Sequence, residues 1–296
     1  MTAPTEERAH AHAPAPSWLR AVRATPMSRA RAGILLGLLL LTVGSWWLVV
    51  DAPRGAHHSA TPTMGMSAPL FLAVWVAMMI ATMFPAVAPM VLMFARIAAS
   101  KRTAGKSFVP TWLFVAGYLI VWTALGVLAY LGAVAVERLA AQVDPIEHNA
   151  GRIGGALIVV AGAYQFSKLK DRCLTECRSP LAFVMQHWQD GRVGAVRMGV
   201  HHGWHCAGCC WALMAMLFPI GMMNIAALAT VTAFIYAEKV LPFGRAIGRA
   251  AGVGLMAFGL AVIAHPALLP DSLAHHDHGT MQMDGNGPAG MHMDRG

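Results

Sequence analysis

The chain has 296 residues, of which 57% are hydrophobic and only 12% charged, and its mean hydropathy is +0.54. A soluble domain carries about twice that charged fraction, so a water-soluble globule is excluded and a polytopic membrane protein is expected. The net charge of +8 does not point to nucleic acid, because the basic residues lie in short segments between apolar runs, the pattern that orients membrane proteins.

Residues 1–31 are rich in Ala, Pro and His and carry five arginines; they are expected to form a disordered, basic cytoplasmic arm. The apolar run 33–50 is longer than a signal-peptide core and lacks a clear small-x-small cleavage site, so an uncleaved first helix is expected. A second run, 68–94, carries Pro85 and Pro89, which should kink it. A third covers 110–136 and a fourth 153–166. From 203 to 241 the chain is apolar for longer than one helix needs, and the PIGMMN segment at 219–224 is the natural turn between two. A seventh run, 250–269, precedes a polar tail. Residues 32–269 are therefore expected to form an all-α, polytopic transmembrane helix bundle of about seven helices, followed by a disordered exterior tail, 270–296.

The distribution of positive charge tests that count. With the N-terminus inside, 18 of the 22 Lys and Arg fall in the arm, the 96–106 loop, the 168–197 loop and the 239–249 loop. Only Arg54, Arg138, Arg152 and Arg295 fall outside. Seven helices, N-terminus inside and C-terminus outside, follow. Glu238 and Lys239 are read as charges anchoring the end of the sixth helix at the interface.

Cys173 and Cys177 form one tight pair, and HHGWHCAGCCW at 201–211 holds the other three cysteines and three histidines. Clustered Cys and His between apolar segments point to metal or redox chemistry rather than a disulfide framework. Thiolate with imidazole selects soft or borderline ions: copper as Cu(I), or zinc or another transition metal. On a helix starting near His201, His202, Cys206, Cys209 and Cys210 share about a 100° arc with His205 at its edge, while His201 lies off it. Cys173 and Cys177, four apart, would share a helical face. Packing of small apolar cysteines and thiol redox chemistry are the competing readings.

The strings CLTECRSP, HGWHCAGCCWALM, WVAMMIATMFPAVAPM and AEKVLPFG resemble a bacterial family of predicted metal-binding integral membrane proteins (domain of unknown function 2182), over about residues 68–242. The resemblance implies metal binding and a location in a bacterial inner membrane, but no reaction. It matches Cys173, Cys177, His202, Cys206, Cys209 and Cys210 to recurring positions; His201 and His205 are extras.

The 20 methionines form further groups. Met79, Met83, Met90 and Met93 fall within about an 80° helical arc; a thioether path for Cu(I) competes with simple gap-filling near a kink. The tail holds His275, His276, His278, Met281, Met283, Met291, His292 and Met293, where methionine has no packing role, so the composition reads as copper capture. His57, His58, Met64 and Met66 repeat the pattern on a smaller scale.

No Walker sequence or nucleophile–base pattern occurs, so an ATP-driven pump is not expected and an enzyme is less expected than a binding protein. The sequence thus leads to a membrane protein that handles a soft metal, moving it between the exterior His/Met tail and the cytoplasmic Cys/His cluster. Its partners would be the lipid bilayer, the metal ion and a metallochaperone or copper-protein client. A thiol or cofactor-dependent redox partner, or a copper-delivery assembly factor, is the alternative.

Overall fold

The computed structural model describes residues 29–51, 62–104, 109–142, 149–222 and 224–268. The N-terminal arm, His57, His58 and the His/Met tail with His275, His276, His278, Met281, Met283, Met291, His292 and Met293 lie outside the described residues. Among the described residues the chain is all helical. Each of the seven apolar runs is helical. They form α1 (Arg29–Asp51), α2 (Ala68–Thr103), α3 (Thr111–Ala140), α4 (Ala150–Tyr164), α7 (Gly191–Ala215), α9 (Ile225–Val240) and α10 (Gly244–Ala264). Between α4 and α7 stand two short helices, α5 (Lys168–Arg178) and α6 (Pro180–Gln186), and one turn, α8 (Leu217–Ile220), follows α7.

Five of these are long and apolar enough to cross a membrane: α1, α2, α3, α7 continued through α8, and α10. They fit a membrane protein. The fourth and sixth runs are shorter, at 15 residues in α4 and 16 in α9.

The long run 203–241 divides where its sequence indicates. Gly221 adopts φ +101°, open to glycine and strained for other residues. Asn224 then caps α9, its side chain accepting from the Ala227 amide at 3.0 Å. The cysteine helix starts earlier than expected, at Gly191 rather than near His201. Its first two turns bury Gly194 and Ala195.

α2 remains helical through both prolines. Pro85 has no amide to offer the Ala81 carbonyl, and Trp46 of α1 donates its indole N–H to that carbonyl at 3.1 Å. A backbone group freed in an apolar setting is thus satisfied by a neighbouring helix.

Small residues bring the helices together. A Cβ at Gly155 or Gly162 of α4 would meet the Gly259 or Gly252 carbonyl of α10 at 2.9 and 2.8 Å. Gly117, Gly199 and Gly203 bring α3 against α7 in the same way, backbone to backbone. Close approach of this kind is how helices associate where lipid removes the hydrophobic drive between them. α2 and α7 supply most of the interior, while α1, α3 and α10 leave most of their surface outward.

Candidate metal centre

α7 and α5 bring the two cysteine groups together. Ser167 caps α5 by accepting from the Lys170 amide at 3.1 Å, and the helix so begun turns Cys173 and Cys177 towards α7. The Cys177 and Cys209 sulfurs are 3.9 Å apart. The Cys173 sulfur faces Gly208, where a Cβ would come within 2.6 Å of it. That glycine also receives the Tyr164 hydroxyl on its carbonyl at 2.5 Å. The absent side chain at position 208 leaves room for the Cys173 side chain of α5 against α7.

On α7 itself, His202, Cys206, Cys209 and Cys210 are all buried, whereas His201 and His205 are half-buried. This is the division the helical arc predicts. The Cys209 and Cys210 thiols donate to the Cys206 carbonyl at 3.0 and 2.9 Å. All five cysteines are free.

Cys206 is the meeting point. Its sulfur lies 3.0 Å from the Tyr118 hydroxyl of α3 and accepts from the Lys239 ammonium of α9 at 3.0 Å. The Lys239 side chain is therefore not an exposed interfacial anchor, and neither is Glu238: both are buried. Both oxygens of the Glu238 carboxylate lie 2.8 Å from Lys170, which also bonds Gln165. Arg178 in turn holds the C-terminal end of α9, bonding the carbonyls of Glu238, Leu241 and Pro242. The burial of these two charges has a simple cause. An end-of-helix charge is cheap only where water or headgroups reach it, and here α5 and α7 cover the end of α9 while supplying partners.

His202 stacks against Phe114 and Tyr118, with ring centroids 6.0 and 5.9 Å away. Its Nδ1 is buried with no hydrogen-bond partner among the described residues, a costly arrangement that leaves an imidazole nitrogen available to a ligand. A third group lies beside it. The His201 ring is 4.4 Å from His187 and 4.6 Å from His205, centroid to centroid, with Phe183 among them. His187 was not singled out in the sequence, since it sits outside the HHGWHC string, and only the α6–α7 connection brings it there.

On α5, burial pushes the Cys173 thiol above the ordinary thiol range, and the Cys209 sulfur adds to this. Hydrogen bonding to Cys206 and Cys209, ahead of burial, raises Cys177 further. Both are thiols until an ion displaces their protons.

Met79, Met83 and Met90 are buried in the core, with Met93 packed against it. Among the described residues, no three His, Cys, Asp or Glu side chains are disposed to hold one metal ion as they stand. The chemistry of the donors fits a soft ion all the same: thiols in contact across two helices, one unpartnered imidazole, and a cation already resting on sulfur. Tyr118, Lys239 and His187 were missed by sequence reasoning. An ionisable residue inside an apolar run is the one signal that could have found Lys239.

The profile of a protein family, PpoB2, described as a copper chaperone, matches residues 72–262, more than half of the chain. No curated protein and no solved structure matches it.

Proposed function

The chain belongs to the PpoB2 copper chaperone family, and on that footing we propose that it is a membrane-embedded carrier that takes up Cu(I) as cargo on Cys177, Cys206, Cys209 and Cys210 and hands it on. His202 is the nitrogen donor in reserve; Cys173, His205 and His201 stand around the site. The observation that carries this reading is the 3.9 Å approach of the Cys177 and Cys209 sulfurs across two helices. A two-coordinate ion with metal–sulfur bonds of about 2.3 Å needs its sulfurs roughly 4.6 Å apart, so a shift of less than about 1 Å opens the pair to an ion. A third thiolate from Cys206 or Cys210 would complete a trigonal set.

In this reading seven helices span the bacterial inner membrane, N-terminus inside and C-terminus outside. The exterior residues His275, His276, His278, Met281, Met283, Met291, His292 and Met293 collect or release the ion. The buried thioethers Met79, Met83 and Met90 line part of its way. The recipient would be a copper-protein client or a metallochaperone.

The test is copper bound per protein, purified in detergent under reducing conditions. Replacing Cys206, Cys209 and Cys210 by Ser exchanges soft thiolates for hard hydroxyls at nearly constant volume. The variant is expected to fold and to lose its copper. Full retention of copper by the folded triple variant would overturn the assignment.

The same sulfur pair favours one second reading, thiol redox exchange between Cys177 and Cys209. Thiol counting before and after mild oxidation, with copper measured in parallel, separates the two.

A further inference from the structure

A cavity of about 510 Å³ opens where α5 ends and α10 begins, lined by Arg178, Pro242, Phe243, Arg245, Ala246 and Arg249. Its size falls within the roughly 300–1,000 Å³ of small-ligand sites. Three of the six lining residues are arginines and none is acidic. Arg178 is immobilised by the carbonyls at the end of α9, and Arg245 is steadied by donating to the Thr175 hydroxyl at 2.9 Å. Among the described residues no ion pair joins Arg245 or Arg249 to a carboxylate. The Glu238 carboxylate on the same connection is already matched by Lys170. α10 starts at the rim, so its macrodipole adds to the positive potential.

The surroundings say which anion would enter. The bowl sits at the end of an apolar helix that turns most of its surface outward. Phe243, 74% exposed, stands on its wall where an aromatic ring would lie at the level of lipid headgroups. Guanidinium groups read phosphate oxygens with paired, charge-assisted hydrogen bonds. Basic pockets at the cytoplasmic ends of membrane helices suit anionic headgroups.

We propose that Arg178, Arg245 and Arg249 form a binding site for the phosphodiester headgroup of an anionic phospholipid. The site is independent of the cysteines, yet it shares with them the segment that carries Glu238 and Lys239. A headgroup held there fastens the α9–α10 elbow from which Lys239 reaches Cys206.

The experiment is native mass spectrometry of the full chain equilibrated with phosphatidylglycerol and phosphatidylcholine. The chain is expected to retain phosphatidylglycerol preferentially. Arg245→Gln with Arg249→Gln should lower that retention by on the order of tenfold. The charge-matched control Arg192→Gln with Arg197→Gln, on exposed residues outside the bowl, should leave it unchanged. Arg249→Gln alone is the fallback if losing the Arg245–Thr175 bond unfolds the double variant. An equal fall in both double variants would reduce the effect to general surface charge. Equal retention of the two lipids would make it apolar, and displacement by inorganic phosphate would make the site one for free phosphate. Each of these three results overturns the proposal.

Discussion

Lys239 reaches the Cys206 sulfur from a different helix, and its ammonium is buried with sulfur as the partner it touches. A copper(I) ion on two thiolates leaves the unit with one net negative charge. In a medium that solvates charge poorly, that charge needs a neighbour of opposite sign. Lys239 supplies it. Lys239→Met should therefore weaken copper(I) binding by the value of a charged hydrogen bond, about 1.5–3 kcal/mol, or roughly 10–100-fold in Kd. Lys239→Arg should retain most of the affinity. Competition titration against a copper(I) chelator under reducing conditions reads this directly. A Met variant that binds as tightly as the parent would mean that the ammonium serves the ion-free state alone. The residue scale is also where the sequence was least readable. His202, Cys206, Cys209 and Cys210 share a face by arithmetic on one helix, and they are buried together. Tyr118 and Lys239 contact Cys206 from 88 and 33 residues away, and no local spacing encodes such a meeting.

Between helices, the two cysteines of α5 have unequal positions. Cys177 reaches another sulfur, while Cys173 fills the space left by Gly208. Cys177→Ser is expected to lower bound copper, and Cys173→Ser to leave it nearly unchanged, measured as copper per protein. Equal losses would mean that α5 presents both thiols to the ion. The glycine seam of α4 and α10 carries a separate prediction. Gly155→Leu forces a side chain into the Gly259 and Ile263 backbone, and overpacking of this kind costs about 1–3 kcal/mol or more. Gly254→Leu meets open space and should be neutral. Thermal unfolding in detergent distinguishes them. The elements themselves were legible, because each apolar run of sufficient length had to become a helix. What stayed hidden was the burial of α9's charged end. Glu238 and Lys239 look like interfacial anchors until α5 and α7 are known to cover them.

At the scale of the whole molecule, the division of basic residues argues for seven crossings with the cysteines inside and the tail outside. Reporter fusions at Gly105, Gly191 and Gly296 should report inside, inside and outside. A cytoplasmic C-terminus would remove one crossing, and with it the two-sided handling of copper. The family match, at residues 72–262, stops short of both the N-terminal arm and the His/Met tail. It therefore bears on the helical core and not on the tail.

The lengths of α4 and α9 bear on the membrane itself. At 15 and 16 residues they reach about 22 and 24 Å, against a hydrocarbon core of about 30 Å. Should both cross, lipid around them must thin or their flanking residues must stretch to the headgroups, at fractions of a kcal/mol per ångström of mismatch. Both pack against α7: α4 through Tyr164 on Gly208, α9 through Lys239 on Cys206. The bilayer would then be thinnest beside the cysteines, so a copper ion leaving them would face a shorter stretch of hydrocarbon than anywhere else around the protein. If the chain releases copper as proposed, bilayer thickness becomes a variable of that release, and copper transfer to a chelator from protein in vesicles should slow as the lipid acyl chains lengthen.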